Sequence, residues 1–276
     1  MTPLLAVAHG SQDPASQRVV ADLLAGACRL RPGLVARAAF IDNAGPSVRS
    51  ALNRLAADGV TDLVVLPLLL TAAAHSKTDV AASVRAGRGA HASMRVRYGR
   101  PLGADPVVVR VLDRRLREAG ADPDLPVLLV AGGALDPDAN ASVASVARLL
   151  LEHGHWPTVD IAFASTAAPT VPAALARLGT LGHRRVAVAR YFLGPGRLPA
   201  LVDRLAGSVP GISVIVGDVL GVSDDLAGLV LSRYDEAVGG GLRMPCDTCM
   251  YRVALPGRGH LVGAPQTVHR HPDDVA

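Results

Sequence analysis

The chain has 276 residues, half of them apolar and 19% charged, with a formal net charge of +4. This is a globular composition, long enough for one large domain or two ordinary ones. Aromatic residues make up only 3%, which gives no support to a base-stacking nucleic-acid surface, and no apolar run approaches the roughly 18–20 residues that span a bilayer. The first basic residue is Arg18, so the N-terminus does not read as a signal peptide and a cytoplasmic location is expected. Three cysteines do not make a disulfide framework in a chain of this size.

In chain order, Leu4–Ala8 reads as a buried strand. Pro14 to Leu30 carries Val19, Val20, Leu23, Leu24 and Ala27 at helical spacing and is closed by Pro32-Gly33. Leu34–Ile41 is a second strand, and Pro46 to Ala57 a helix ended by Asp58-Gly59. Leu63–Leu70 is a third strand, apolar throughout as a strand covered on both faces should be. A helix is expected to open at His75 or Ser76, followed by a short strand Met94–Tyr98 and a helix from Asp105-Pro106 that fades at Gly120–Pro123.

The pattern then restarts with strands Val127–Ala131, Val159–Phe163, Arg185–Leu193 and Ile212–Val216. These alternate with helices Ala139–Glu152, Thr170–Leu178, Leu198–Ala206 and Asp224–Val238. Strand–helix alternation with short connections predicts α/β architecture: two tandem modules, each a four-stranded, mostly parallel sheet flanked by helices, with a cleft between them.

The two halves are a duplication. At a spacing of 123, Val7-Ala8-x-Gly10 repeats as Val130-Ala131-x-Gly133, Asp13-Pro14 as Asp136-Pro137, Ala39-Phe40 as Ala162-Phe163, and Pro46 as Pro169. Further on the spacing is 118, where Leu102-Gly103 meets Leu220-Gly221. The repeats run over 1–123 and 124–238, and a Gly/Pro/His-rich tail occupies 239–276.

Ligands of open parallel sheets sit beyond the carboxyl ends of the strands. His9, Asp42 and His75 all follow such strands. Two imidazoles and a carboxylate suit a borderline divalent metal. Any one of them alone would read as an ordinary loop residue. In the second repeat, however, the three positions are Gly132, Ser165 and Leu198. The scaffold is kept and the polar groups are gone, so the first repeat is expected to carry the chemistry and the second to be degenerate. Gly10 and Ser11 could offer an anion site at a helix start, but neither a dinucleotide fingerprint nor a Walker loop is present. Asp79 could orient His75 or be a solvated first-turn acid. Arg85, Arg88, Arg95, Arg97 and Arg100 read as a solvated surface. Cys246-x-x-Cys249, with His260, His269 and His271 beyond it, has the spacing of half a metal site or of a redox dithiol.

Val7-Ala8-His9-Gly10-Ser11, Phe40-Ile41-Asp42 with Pro46, Leu68-Leu69-Leu70 before His75, and Pro101-Leu102-Gly103 together resemble the sirohydrochlorin chelatases, ATP-independent class II tetrapyrrole metallochelatases. The resemblance spans residues 4 to about 230 as two copies of the module. It implies insertion of a divalent metal, Fe2+ ahead of Co2+, into sirohydrochlorin, an eight-carboxylate macrocycle, in sirohaem or cobalamin biosynthesis. It assigns metal-binding and catalytic roles to His9 and His75. Asp42 takes the place of the family's usual Glu, one methylene longer. The stretch before His75 lacks the family's aromatic residues and glycine, which Tyr191-Phe192-Leu193-Gly194 retains. Gly10, Ser11, Arg190 and Arg197 are the candidates for holding substrate carboxylates. Met244-Pro245-Cys246-Asp247-Thr248-Cys249 is similar to a segment of longer members associated with an iron–sulfur centre. A single chain already supplies a pseudo-dimer, with a homodimer through the tail as the other arrangement. A metal-binding or metal-sensing protein without enzymatic activity is the alternative function, and a generic nucleotide-binding α/β protein a third.

Overall fold

A computed structural model describes residues 1–71, 80–91, 93–240 and 259–264. His75, Asp79, Cys246 and Cys249 lie outside them. None of the described helices is long and apolar enough to cross a membrane.

Among the described residues eight strands and eight α-helices are in place: β1 Leu4–Ala8, α1 Pro14–Leu30, β2 Ala36–Phe40, α2 Val48–Ala57, β3 Asp62–Pro67, α3 Val80–Ala90, β4 Arg95–Tyr98, α4 Pro106–Glu118, β5 Val127–Ala131, α5 Pro137–Gly154, β6 Val159–Phe163, α6 Val171–Thr180, β7 Arg185–Arg190, α7 Arg197–Ala206, β8 Ser213–Val216 and α8 Asp224–Gly239. They form two four-stranded sheets ordered β2-β1-β3-β4 and β6-β5-β7-β8, with every pairing parallel. The third strand of each repeat ends three residues earlier than its apolar run, at Pro67 and Arg190. After Leu68 donates its N–H to the Val7 carbonyl (2.8 Å), and Tyr191 to Val130 (2.8 Å), the chain leaves the ladder.

Local chemistry explains the helix starts. Asp13, Asp105 and Asp136 each precede a proline at the first helical position and cap the helix through a carboxylate oxygen, a device worth about 1 kcal/mol per cap. Ser47 and Thr170 cap α2 and α6 in the same register of the two repeats, each after a proline that follows a cis peptide bond.

The compact units do not coincide with the sequence repeats 1–123 and 124–238. One unit runs from Met1 to Gly103 and resumes at Val222; the other is Ala104–Gly221. The difference is one helix in each direction. In the first unit, α1 and α8 cover one face of the sheet and α2 and α3 the other; in the second, α4 and α5 cover one face and α6 and α7 the other. Helix α4 buries Val108, Val109, Val111, Leu112 and Leu116, and α8 buries Leu226, Ala227, Val230 and Leu231. Either stripe would suit either sheet, and tertiary contacts choose between them.

Helix α8 is stitched to the first unit by polar contacts as well. The Tyr234 hydroxyl donates to the Thr2 carbonyl at 2.6 Å, Arg29 pairs with Asp224 and Arg31 with Asp235, and Arg100 grips Glu236 with two hydrogen bonds of 2.7 and 2.9 Å. The solvated reading of the arginine run fails at Arg100, and at Arg97, which pairs with Asp62 at 3.0 Å.

Hydrogen bonding from Arg100, with Arg233 alongside, holds the Glu236 carboxyl below its usual range against the opposing effect of burial. A depressed folded-state value contributes stability above the unfolded-chain value, and that contribution fades as pH falls through the folded value. Glu236→Gln is therefore expected to lower Tm at pH 7, with the gap to wild type narrower at pH 3. Thermal melts at both pH values test it; an unchanged gap would contradict the ion-pair account.

Candidate active site

The carboxyl edge of the first sheet assembles two of the three proposed metal ligands. Where β1 and β2 end, the ladder continues for two more bonds: the Ile41 N–H donates to the Ala8 carbonyl (3.0 Å) and the Asp42 N–H to the His9 carbonyl (2.9 Å). His9 and Asp42 thus sit side by side on adjacent strands. His9 is exposed and Asp42 half-buried, and both engage in polar interactions. One Asp42 carboxylate oxygen, Oδ1, accepts the Asn43 N–H at 2.8 Å.

Gly10 makes this approach possible. Its φ is +98°, and a Cβ there would lie 1.7 Å from the Asp42 carbonyl oxygen. Only glycine allows both the conformation and the contact. Ser11 follows, its hydroxyl accepting the Asp13 N–H at 3.1 Å, while Gln17 Nε2 donates to the Ser11 carbonyl at 3.0 Å. Gly10 and Ser11 therefore build the turn that presents His9 and leads into α1.

The second unit repeats the backbone and changes the side chains. The Ser165 N–H donates to the Gly132 carbonyl at 3.1 Å, and Gly133, at φ +87°, would place a Cβ 2.0 Å from the Ser165 carbonyl oxygen. Asn140 takes the role of Gln17, bonding both the carbonyl and N–H of Ala134. A Cβ on Gly132, the His9 position, would meet Leu198 Cδ1 at 3.4 Å and Phe192 Cε1 at 3.8 Å. Leu198 answers to His75 at the 123-residue spacing and to Val80 at the 118-residue spacing that holds from β4 onward. Positions far apart in the sequence converge here, and apolar side chains fill the space between them.

The arginine candidates fall on this second edge. Arg190, at the end of β7, is engaged on all sides: Nε to the Gly217 carbonyl (2.7 Å), Nη1 to both Asp203 oxygens (3.1 Å each) and Nη2 to Asp218 (3.1 Å). It ties β7, α7 and the loop after β8 together. Arg197 opens α7 and is exposed, with no ion-pair partner among the described residues. No group of three or more His, Cys, Asp or Glu able to hold a metal occurs among the described residues, and the third proposed ligand, His75, is not among them.

The sequence reading missed two residues that brace these edges, Arg115 and Arg233. Arg233 is 2% exposed. The signal was available: Arg-x-x-Glu recurs as Arg115/Glu118 and Arg233/Glu236 at the 118-residue spacing of Leu102-Gly103 and Leu220-Gly221.

A family model, CbiX, matches residues 3–119 and again 126–237. The chain belongs to the CbiX family. The two matched stretches are the two repeats, so each half carries the CbiX module by itself. Among relatives, the chain is 28% identical over 265 residues to a sirohydrochlorin cobaltochelatase of Priestia megaterium, covering 92% of this chain and 86% of that protein. It is 31% identical over 151 residues to a sirohydrochlorin ferrochelatase of Bacillus subtilis, covering 54% and 58%. The solved structure of SirB from Bacillus subtilis with Fe3+ superposes with a TM-score of 0.74 at 25% identity, over 87% of this chain and 97% of that one.

Proposed function

We propose that this CbiX protein is a sirohydrochlorin metallochelatase that inserts Fe2+ or Co2+ without ATP, at one site on the edge bearing His9 and Asp42. The observation that carries the reading is the contrast between the two edges. Identical backbone bonds join His9 to Asp42 and Gly132 to Ser165, yet only the first pair can ligate a metal, and the second edge is filled by Leu198 and Phe192. At the 123-residue spacing, which matches Leu198 to His75, the closeness of Gly132 to Leu198 supports pairing His9 with His75.

The chemistry asks for this set of groups. The metal must shed water, reach the macrocycle and displace two pyrrole N–H protons. Neutral imidazoles hold Fe2+ or Co2+ loosely enough to release it. A free imidazole titrates at about pH 6.5 and accepts a proton near neutrality. The Asp42 carboxylate offsets the metal's charge and can relay the proton outward. Arg197, exposed and without an ion-pair partner among the described residues, keeps its guanidinium available for a substrate carboxylate, whereas Arg190 is already engaged.

An anaerobic absorbance assay with sirohydrochlorin and Fe2+, Co2+ or Ni2+ in turn tests this. Spectral conversion is expected with Fe2+ and Co2+ and no ATP. The relatives are named for both metals; we place Fe2+ ahead, and a higher kcat/KM with Co2+ reverses that order. Metal binding with an unchanged macrocycle spectrum would instead favour the metal-sensing alternative. A protein colourless as isolated under the same conditions removes the iron–sulfur reading of Cys246 and Cys249.

A further inference from the structure

Each unit holds the turn after its last strand with one arginine from a helix that belongs to the other sequence repeat. In the second unit, Arg115 of α4 donates from Nε and Nη2 to the Leu220 carbonyl at 3.3 and 2.9 Å, and from Nη1 to Glu118 at 2.7 Å. In the first, Arg233 of α8 donates from Nε to the Pro101 carbonyl at 3.3 Å, from Nη2 to Leu102 at 3.0 Å and from Nη1 to Glu236 at 2.9 Å. The clamped turn in turn holds the exit of the third strand. The Leu102 N–H donates to the Leu69 carbonyl at 3.0 Å, as the Leu220 N–H does to Phe192 at 2.9 Å. Leu69 begins the stretch of chain that leads to His75.

The two clamps are not equal. The Arg233 side chain is 2% exposed and that of Arg115 22%. Arg100 adds a second guanidinium to Glu236 with two hydrogen bonds. The repeat places Asp218 at the Arg100 position, and Asp218 pairs with Arg190 instead. A buried guanidinium is costly unless its donors are satisfied. The clamp is thus deeper and doubly paired in the unit that keeps His9 and Asp42.

We propose that Arg233 is a positioning residue for metal insertion: acting through the Leu102 turn and the Leu69 carbonyl, it sets where the chain leaves β3 beside β1, at the point where Leu68 bonds Val7 two residues before His9. The inference rests on the chelatase reading. Arg115, its counterpart on the edge without metal ligands, is a built-in control for a merely structural role.

The test compares Arg233→Gln, Arg233→Lys, Arg115→Gln and Arg115→Lys in the full chain. The readouts are Tm, Co2+ affinity from absorbance titration, and kcat and KM for insertion into sirohydrochlorin, all at a temperature where circular dichroism shows each variant folded. Both glutamine variants are expected to lower Tm. Only Arg233→Gln should weaken Co2+ binding and lower kcat, by about tenfold, the scale of lost support behind metal ligands. Arg233→Lys, able to reach one of the two carbonyls, should fall between it and wild type, while Arg115→Gln keeps wild-type affinity and kcat. Equal metal affinity and kcat in Arg233→Gln and Arg115→Gln would overturn the proposal. If Arg233→Gln does not fold, the two lysine variants take its place in the comparison, and equal affinity and kcat between them overturns the proposal in the same way. Wild-type protein that neither binds Co2+ nor inserts metal sinks the chelatase reading and this inference with it; working wild type with equal variants sinks this inference alone.

Discussion

His9→Ala protein is expected to insert metal at least about a hundredfold more slowly than wild type, since it loses both the proposed ligand and the proposed proton acceptor. Its Tm should stay close to the wild-type value, because His9 is exposed and the turn around it is held by backbone bonds at Asp42 and by Ser11, Asp13 and Gln17. His75→Ala is expected to match it in rate. The second repeat supplies a contrast within the same chain: Leu198→Ala removes an apolar filler beside Gly132 and should cost stability without slowing insertion. Steady-state rates and melts of the three variants decide the matter. Wild-type rates in both histidine variants would end the single-site reading.

A second large effect is expected at Gly10. An alanine there must adopt a φ of +98° and place its Cβ 1.7 Å from the Asp42 carbonyl oxygen, with the Asp42 carbonyl carbon 2.9 Å away. Both obstacles are backbone, so no side chain can swing aside. The β1 and β2 exits must part, at a cost of about 2–4 kcal/mol. That movement separates His9 from Asp42, and insertion should fall at temperatures where the protein remains folded. Gly133→Ala meets the Ser165 carbonyl oxygen at 2.0 Å and should lose similar stability. Insertion by the folded fraction should nonetheless be unchanged, because the proposed metal ligands His9 and Asp42 stand on the other edge. Denaturant melts with rates normalised to the folded fraction separate the two outcomes. Equal loss of rate in both variants would mean that the edges are not functionally distinct.

Much of this molecule is written in local chemistry. Apolar runs of strand length, helix-period stripes and Asp-Pro caps place β1, α1, β5 and α4 within a residue or two, because each signal acts over one or two turns of chain. The repeat within the chain also singled out His9 and Asp42, since a scaffold copied with its polar groups removed separates chemistry from fold. The strand ends at Pro67 and Arg190 were less legible: apolar residues continue past the last ladder bond on both, and burial, not strand pairing, accounts for them. Arg190 illustrates the limit for charges. Its sequence position at a strand end is that of a ligand-binding residue, yet Asp203, Asp218 and the Gly217 carbonyl occupy its guanidinium.

The sequence alone thus determined the α/β class, the duplication and the two strand ends that carry His9 and Asp42. Those properties depend on periodicity and on comparing one half of the chain with the other. Tertiary structure decided which sheet each closing helix covers. The apolar stripes of α4 and α8 are interchangeable as patterns, and only packing sends each helix to the sheet of the other repeat. It also decided what Arg233 does: the repeated Arg-x-x-Glu marks the residue, but its guanidinium donates to Pro101 and Leu102 across a long stretch of chain that this spacing does not contain. The closeness of Gly132 to Leu198 is of the same kind. Contacts between distant residues arise from the closure of the fold, and no window along the chain contains them.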